Sequence, residues 1–211
     1  MTQGGNSLDI LDTINDINLA FGRVKYECVG LLDDEQSNWG NVFLRIEALG
    51  GLDMASDYGD CQFVFGIGSP SNFLRKSSIL ARTHLLMERD ETIVHPTASV
   101  RGRPNWAKDR GLSKCYDYIE CVDRSSGGYS PKFCHRHDDV IGDLACITGG
   151  VCILGRVSIG RSCYLGTNCT IRNNLRIGDC CFIGMGSVVS KDVENNSLVA
   201  GNPARFVRKI Q

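Results

Sequence analysis

No excess of charge of either sign marks this chain: Lys plus Arg number 23 and Asp plus Glu 24, a net charge of -1. That balance gives no electrostatic reason to expect nucleic acid or an anionic membrane as partner, and leaves small molecules as the default. No apolar run reaches the length that spans a bilayer, and Met1-Thr2-Gln3-Gly4-Gly5 lacks the basic and apolar regions of a signal peptide. The expected location is therefore the cytoplasm. There are 11 cysteines, but none in a C-x-x-C spacing. A reduced, structural role is expected for them rather than a disulfide framework or metal site. The 211 residues suffice for two small domains, each with its own core.

What is present is a repeat. A branched aliphatic residue returns at every sixth position through Ile141, Ile147, Ile153, Ile159, Leu165, Ile171, Ile177, Ile183 and Val189. Neither a helical period of 3.6 nor a strand alternation of 2 produces this, whereas a triangular coil with three short faces does. Four residues after each lies a second small or apolar one: Ala145, Val151, Val157, Cys163, Cys169, Leu175, Cys181, Ser187 and Val193. The two rows are expected to point into a prism, with Cys163 and Cys181 stacked one coil apart as small hydrophobes. Gly142, Gly160, Gly166, Gly178 and Gly184 are expected at corners that need unusual backbone angles. Stacked coils bury their flat sides against neighbours, so a homo-oligomer is expected.

Between Val100 and His137 the period stops, yet its phase carried backward lands on Asn105, Gly111, Asp117, Asp123, Tyr129 and His135. Five of these six have codons with adenine in the middle followed by a pyrimidine; read one nucleotide later, each becomes isoleucine or threonine. Trp106-Ala107 becomes glycine in that frame, a hexapeptide corner in phase with the downstream row. Two compensating frameshifts, one shortly after Val100 and one near Arg136, are inferred, with 101–136 expected to be irregular; a genuine surface insertion is the alternative.

Toward the N-terminus, Ser7 to Phe21 places Leu8, Ile10, Leu11, Ile14 and Ile17 mostly on one helical face, behind a Gly4-Gly5-Asn6 loop and cap. YECVGLLDD and CQFVFGIGSP read as strands ending in Asp33-Asp34 and Gly66-Ile67-Gly68. Strand, glycine turn and helix imply an α/β unit of doubly wound type, in which ligands sit at the carboxyl ends of strands. Gly4-Gly5, and Gly68-Ser69 ahead of Asn72-Phe73-Leu74-Arg75, are candidate phosphate cradles. The strand that should lead into Gly4-Gly5 is missing, an incomplete Rossmann-like unit. The expected division is 1–92 for this unit and 93–211 for the β-helix.

These residues carry a resemblance. Gly4-Gly5, VGLLDD (29–34), FGIGSPSN (65–72), HPTASV (95–100), HDDVIGD (137–143) and VAGNPAR (199–205) are similar to the sugar O-acyltransferase and amino-sugar-nucleotide N-acetyltransferase family, the group of the sialic acid and bacillosamine acetyltransferases. The resemblance implies a left-handed parallel β-helix and a homotrimer with sites between its coils. Acetyl-CoA would lie along the coils and a nucleotide sugar on the N-terminal unit, as in polysaccharide biosynthesis. It implies His137 as general base, Asp138 as its orienting acid and Gly155 as oxyanion donor. Cys146 stands where many relatives have a second histidine, and by the resemblance is a cofactor-binding residue at the thioester carbonyl, a weaker donor than histidine. Asp33, Asp34 and Gly68, with Gly4 and Gly5, would meet the nucleotide; Gly166, Thr167, Gly184, Met185 and Gly186 would line the CoA groove. An imidazole suits the base role because it titrates near neutral pH.

Two other readings are open. A zinc hydratase on the same coil needs three converging histidines, and the chain has 4 in all; no metal is expected. A damaged relative would bind nucleotide or CoA without turnover. His84 and His95 read as structural, with His95 at the start of the coil.

Overall fold

The structure, a computed structural model, describes residues 5–85, 89–91, 93–96, 134–135 and 138–210. Most of 101–136, His137 and Gly4 lie outside the described residues.

From residue 134 the chain winds as a left-handed parallel β-helix. Strands of two residues follow one another at six-residue steps: β4 (Cys134–His135), β5 (Val140–Ile141), β6 (Cys146–Ile147), β7 (Cys152–Ile153), β8 (Ser158–Ile159), β9 (Tyr164–Leu165), β10 (Thr170–Ile171), β11 (Arg176–Ile177), β12 (Phe182–Ile183) and β13 (Val188–Val189). They stack into three sheets, β13-β10-β7-β4, β11-β8-β5 and a third containing β12-β9-β6. Thr170 pairs with Cys152 on one side and Val188 on the other, an offset of 18 residues, or three faces, each way. β4 obeys the same rule, with Cys134 on Cys152 and His135 on Ile153, so the backward phase of the repeat holds at 134–135.

The inward rows behave as their chemistry requires. Ile153, Leu165, Ile171, Ile183, Val151, Cys163, Cys169 and Cys181 are sealed from solvent in one continuous core. Cys163 and Cys181 each spend their S–H on a backbone carbonyl, that of Gly178 and that of Glu194, both at 3.1 Å. They pack as small apolar groups with a weak donor.

The corners correct one expectation. Left-handed φ falls every sixth residue on Asp138, Leu144, Gly150, Arg156, Ser162, Asn168, Asn174, Cys180 and Gly186, not on the glycines that follow the aliphatic row. Those glycines serve close approach instead. A Cβ on Gly160 would sit 2.6 Å from the Asp179 amide, and one on Gly142 2.6 Å from that of Arg161. Each left-handed side-chain residue costs roughly 1 kcal/mol of backbone strain. Hydrogen bonds to the preceding coil offset it, such as Asn168 N–H to Gly149 O at 3.0 Å and Cys180 N–H to Arg161 O at 2.9 Å.

The last coil tightens: Phe182 pairs with Leu198, an offset of 16, on β14 (Ser197–Ala200). β15 (Arg205–Lys209) then turns back antiparallel on β14 and covers the end of that sheet. A capping strand of this kind closes a stack that would otherwise expose its last edge.

The N-terminal unit is α/β. Helix α1 (Gly5–Phe21) begins two residues earlier than expected, with Asn6 inside its first turn, and buries Ile10, Leu11 and Ile17. β1 (Leu31–Leu32) pairs parallel with β3 (Ile46–Gly50), which pairs antiparallel with β2 (Val42–Phe43). The expected strand at 61–70 is reduced to a single parallel bridge, Phe63 with Asp90. No strand lies between it and β1 among the described residues, so its backbone has no ladder to join. After a 3-10 turn at Phe73–Arg75, α2 (Lys76–Ala81) is only one and a half turns long. Among the described residues no helix is long and apolar enough to cross a membrane.

Candidate functional site

The prism has three corner columns. Between β6, β9, β12 and the following strands stand Gly166, Thr167, Gly184, Met185 and Gly186, so the expected CoA-groove residues do share one column. The Thr167 hydroxyl donates to that of Thr148 one coil below at 3.2 Å, and Gly186 N–H donates to Thr167 O at 2.8 Å. A Cβ on Gly166 would lie 2.7 Å from the Met185 amide, which keeps the backbone bare there. Met185 itself is 81% exposed, a large apolar group held out from the corner.

Asp138 and Gly155 belong to a different column, between β4 and β5 and between β7 and β8. Asp138 is exposed with φ 63°. Its neighbour Asp139, to which the sequence reading gave no role, accepts the Val157 amide at 2.7 Å and locks the corner to the next coil. The carbonyl of Gly155 takes Asn174 N–H at 3.2 Å, while its own amide has no acceptor among the described residues. His137, the expected base, lies outside the described residues.

Cys146 is on the third face, outward on β6, directly opposite the Asp138 and Gly155 corner in a three-faced prism. This face is covered by the N-terminal unit. Phe73 packs on Tyr164 and Phe182, centroids 5.9 and 5.7 Å away, and those two rings stack at 4.8 Å. Beside them Lys76, fully buried, points its Nζ at the Cys146 sulfur, 3.7 Å away. Burial pushes the Cys146 thiol up, while the lysine charge pulls it down. Sequence reasoning missed Lys76: a lysine at the start of a helix reads as a surface charge. Only the pairing of that helix with a distant strand reveals it.

On the N-terminal unit, the Asn6 amide donates to Gly68 O at 3.0 Å, which brings the start of α1 to Gly68. The Ser69 amide is used by Asn72 Oδ1 at 2.7 Å. Asp33 is 5% exposed and accepts from Asn38 Nδ2 at 2.8 Å and the Glu35 amide at 3.0 Å. Asp34 holds Arg82 at 2.7 and 3.2 Å and the Leu52 amide at 3.2 Å. Both carboxylates thus fix the turn after β1. Gly4 lies outside the described residues. His95, as read from the sequence, is structural in setting: buried, with Nε2 2.9 Å from Asp16 Oδ2. Among the described residues no three metal-ligating side chains converge.

Coils of three two-residue strands with a small α/β unit on one face define a left-handed β-helix protein. Residues 156–191 match the bacterial transferase hexapeptide (six repeats) family. Serine acetyltransferase 2 of Arabidopsis thaliana is 38% identical over 91 residues, 36% of this chain; the chain spans 28% of that relative's length. Over nearly the whole chain the fold is shared with solved structures of low sequence identity. Perosamine N-acetyltransferase from Caulobacter crescentus, in complex with CoA and GDP-perosamine, matches with a TM-score of 0.64 at 17% identity, covering 98% of this chain and 94% of that one. The acetyltransferase domain of PglB from Neisseria gonorrhoeae matches at 0.58 and 14%, covering 92% and 93%.

Proposed function

We propose that this protein transfers the acetyl group of acetyl-CoA to an amine or hydroxyl of a nucleotide-linked sugar, as a cytoplasmic homotrimer whose sites lie between coils. The observation that carries the reading is the split of the expected site. Asp138 and Gly155 occupy one corner, whereas the Gly166–Thr167 and Gly184–Gly186 column occupies another. One protomer cannot bring them together; the corner of one coil laid against the groove column of the next does. Three such seams close a ring.

His137 lies 18 residues before Gly155, the offset that relates Cys134 to Cys152 and Val140 to Ser158. In this reading His137 accepts the proton of the acceptor N–H or O–H as the nitrogen or oxygen bonds to the thioester carbonyl carbon. Asp138 orients the imidazole, and the open Gly155 amide meets the developing oxyanion. As the carbon–sulfur bond breaks, the imidazolium returns the proton to the leaving thiolate. Thr148 and Thr167 hydroxyls and the bare Gly166 backbone suit a pantetheine chain, whose amides need hydrogen-bonding partners and close approach. The relative that holds CoA and GDP-perosamine together on this fold supports the substrate class.

The test is acetyl-CoA turnover, read as acetylated product by mass spectrometry, with GDP-, UDP- and dTDP-linked amino sugars. Acceptor-dependent product, lost in His137→Ala and reduced about 100-fold or more by that change, supports the reading. CoA binding without transfer to any acceptor would overturn it in favour of a non-catalytic relative.

A further inference from the structure

Trp39 is held as a rigid, half-open aromatic face at the carboxyl ends of the parallel strands β1 and β3. The turn after β1 fixes it. Residues Gln36–Asn38 form a 3-10 turn, in which the buried Asn38 donates its side-chain amide to Asp33 Oδ2 at 2.8 Å. The indole Nε1 donates to Asp33 O at 2.7 Å, and the Trp39 backbone amide donates to Gln36 O at 3.1 Å. The ring lies over Gly51, where an added Cβ would sit 3.5 Å from Trp39 Cζ2. The polar atom of the indole is thus satisfied and its plane pinned, yet the residue stays 44% exposed. Holding such a ring in place beforehand lowers the entropy cost of stacking a flat ligand on it.

Beside it stands a cation with donors to spare. Arg82 Nη1 and Nη2 bind the two oxygens of Asp34 at 2.7 and 3.2 Å, and Asp34 Oδ1 also accepts the Leu52 amide at 3.2 Å. The indole and the guanidinium are therefore anchored on consecutive residues at both strand ends, 33 and 34 after β1 and 51 and 52 after β3. Asp34 occupies only part of the donor fork of a guanidinium, and the Arg82 side chain is 57% exposed. This is the edge at which open parallel sheets take their ligands.

An aromatic face beside a fixed N–H fork suits a base that stacks on the indole and turns two adjacent acceptors to the fork. Guanine carries O6 and N7 side by side. Adenine places an amino donor where O6 would be, and pyrimidines offer a smaller ring to stack.

We propose that Trp39 is the stacking platform for the base of the nucleotide sugar and that Arg82 reads the O6/N7 edge of that base, so that the donor nucleotide is a guanosine diphosphate. The proposal rests on the nucleotide-sugar reading above and names its base.

The chain has 2 tryptophans, so the full chain carrying Trp106→Phe reports on Trp39 alone. It is titrated with GDP, inosine diphosphate, ADP and UDP, read by tryptophan emission and by calorimetry. GDP and inosine diphosphate, which share O6 and N7, quench Trp39 and bind comparably, about 10-fold or more tighter than ADP or UDP. Trp39→Ala weakens GDP about 5- to 100-fold, whereas Trp39→Phe, which keeps a ring but loses the bond to Asp33, recovers most of the affinity. GDP binding that leaves both Trp39 emission and the affinity of Trp39→Ala unchanged would overturn the proposal and leave the nucleotide-sugar reading standing. So would ADP or UDP bound as tightly as GDP, or inosine diphosphate bound as weakly as ADP. Failure of all four nucleotides to bind would overturn both.

Discussion

Lys76 Nζ and Cys146 Sγ stand 3.7 Å apart across the junction of the α/β unit and the coil, with the lysine wholly removed from solvent. The same ammonium acts on Asp90, lowering a pKa that burial otherwise raises. One cation therefore ties three parts of the chain: α2, β6 and the bridge at Phe63 and Asp90. Lys76→Ala leaves a cavity and an under-compensated carboxylate and is expected to cost about 3 kcal/mol. Lys76→Met keeps most of the volume and should cost roughly half of that. The double variant Lys76→Met, Asp90→Asn should recover part of the loss, because it removes both charges. Urea unfolding of the four proteins checks the order.

Asp90 also gives stability a pH signature. Burial pushes its carboxyl up from 3.8 to about 6, against the pull of Lys76. Below about pH 4 both folded and unfolded states are protonated. Between about 4 and 6 the unfolded state ionises first, so this group's contribution falls as pH rises and levels off above about 6. The difference in unfolding free energy between the wild type and Asp90→Asn should therefore drift against the wild type across that window. A pH-independent difference would mean that the carboxyl is not buried as described.

The coil was legible because its rule is local and repetitive. One aliphatic side chain per face, from Ile141 to Val189, fixes which residues point inward whatever the corners do, and burial of Ile153, Leu165, Ile171 and Ile183 follows. The corner backbone was less legible. Arg156, Ser162 and Cys180 adopt left-handed φ that no propensity favours, because coil stacking, not the residue, sets it. The site was legible as motif and opaque as geometry. Nothing in one linear repeat says that Gly155 and Gly166 fall on different corners until residues are counted around three faces. Lys76 and Phe73 were invisible because their partners are 70 residues or more away.

The corner glycines give a sharp substitution test. In Gly160→Ala the new Cβ meets backbone, the Asp179 amide at 2.6 Å and the Gly178 carbonyl carbon at 2.7 Å, so no rotamer change relieves it. A loss of about 1–3 kcal/mol is expected from overpacking. Ser158→Ala, on an exposed outward position one step earlier, should stay within about 0.5 kcal/mol. Equal effects of the two would mean that the coils do not approach as closely as described.

The cysteine column predicts an order of alkylation. Cys163, Cys169 and Cys181 are shut off from solvent; the hydrogen bond with Cys181, and then burial, pushes the Cys163 thiol up, and burial pushes that of Cys169 to about 12. Thiolate is the reactive form, so access and ionisation both protect Cys163 and Cys169, whereas Cys181, whose thiol the hydrogen bond with Cys163 pulls down to about 7, is protected by its lack of access alone. Cys61, half-buried in the α/β unit, should be modified by iodoacetamide in the native protein, and the three column thiols only after unfolding in denaturant. Peptide mapping at increasing denaturant reads the order directly. Early labelling of Cys169 would mean that the prism is not closed.

The last prediction concerns the gene. β4 pairs Cys134 and His135 in coil register with Cys152 and Ile153, so the phase that runs forward from Ile141 also holds one step behind it. Carried further back, that phase meets Asp117, Asp123 and Tyr129, none of which an apolar prism interior accepts without a partner. The same positions become isoleucine or threonine one nucleotide later. The coding sequence for 101–136 is expected to carry third bases that spell an uninterrupted hexapeptide text in the shifted frame, bounded by two compensating changes near Val100 and Arg136. Nucleotide sequencing reads this without any protein. Stop codons or charged residues at the in-phase positions of the alternative frame would leave the segment as a genuine insertion. If the shifted text is open, the frame-repaired protein should unfold at higher temperature than the chain described, since about five more faces, beyond the one β4 already forms, would each bury an aliphatic or threonine side chain.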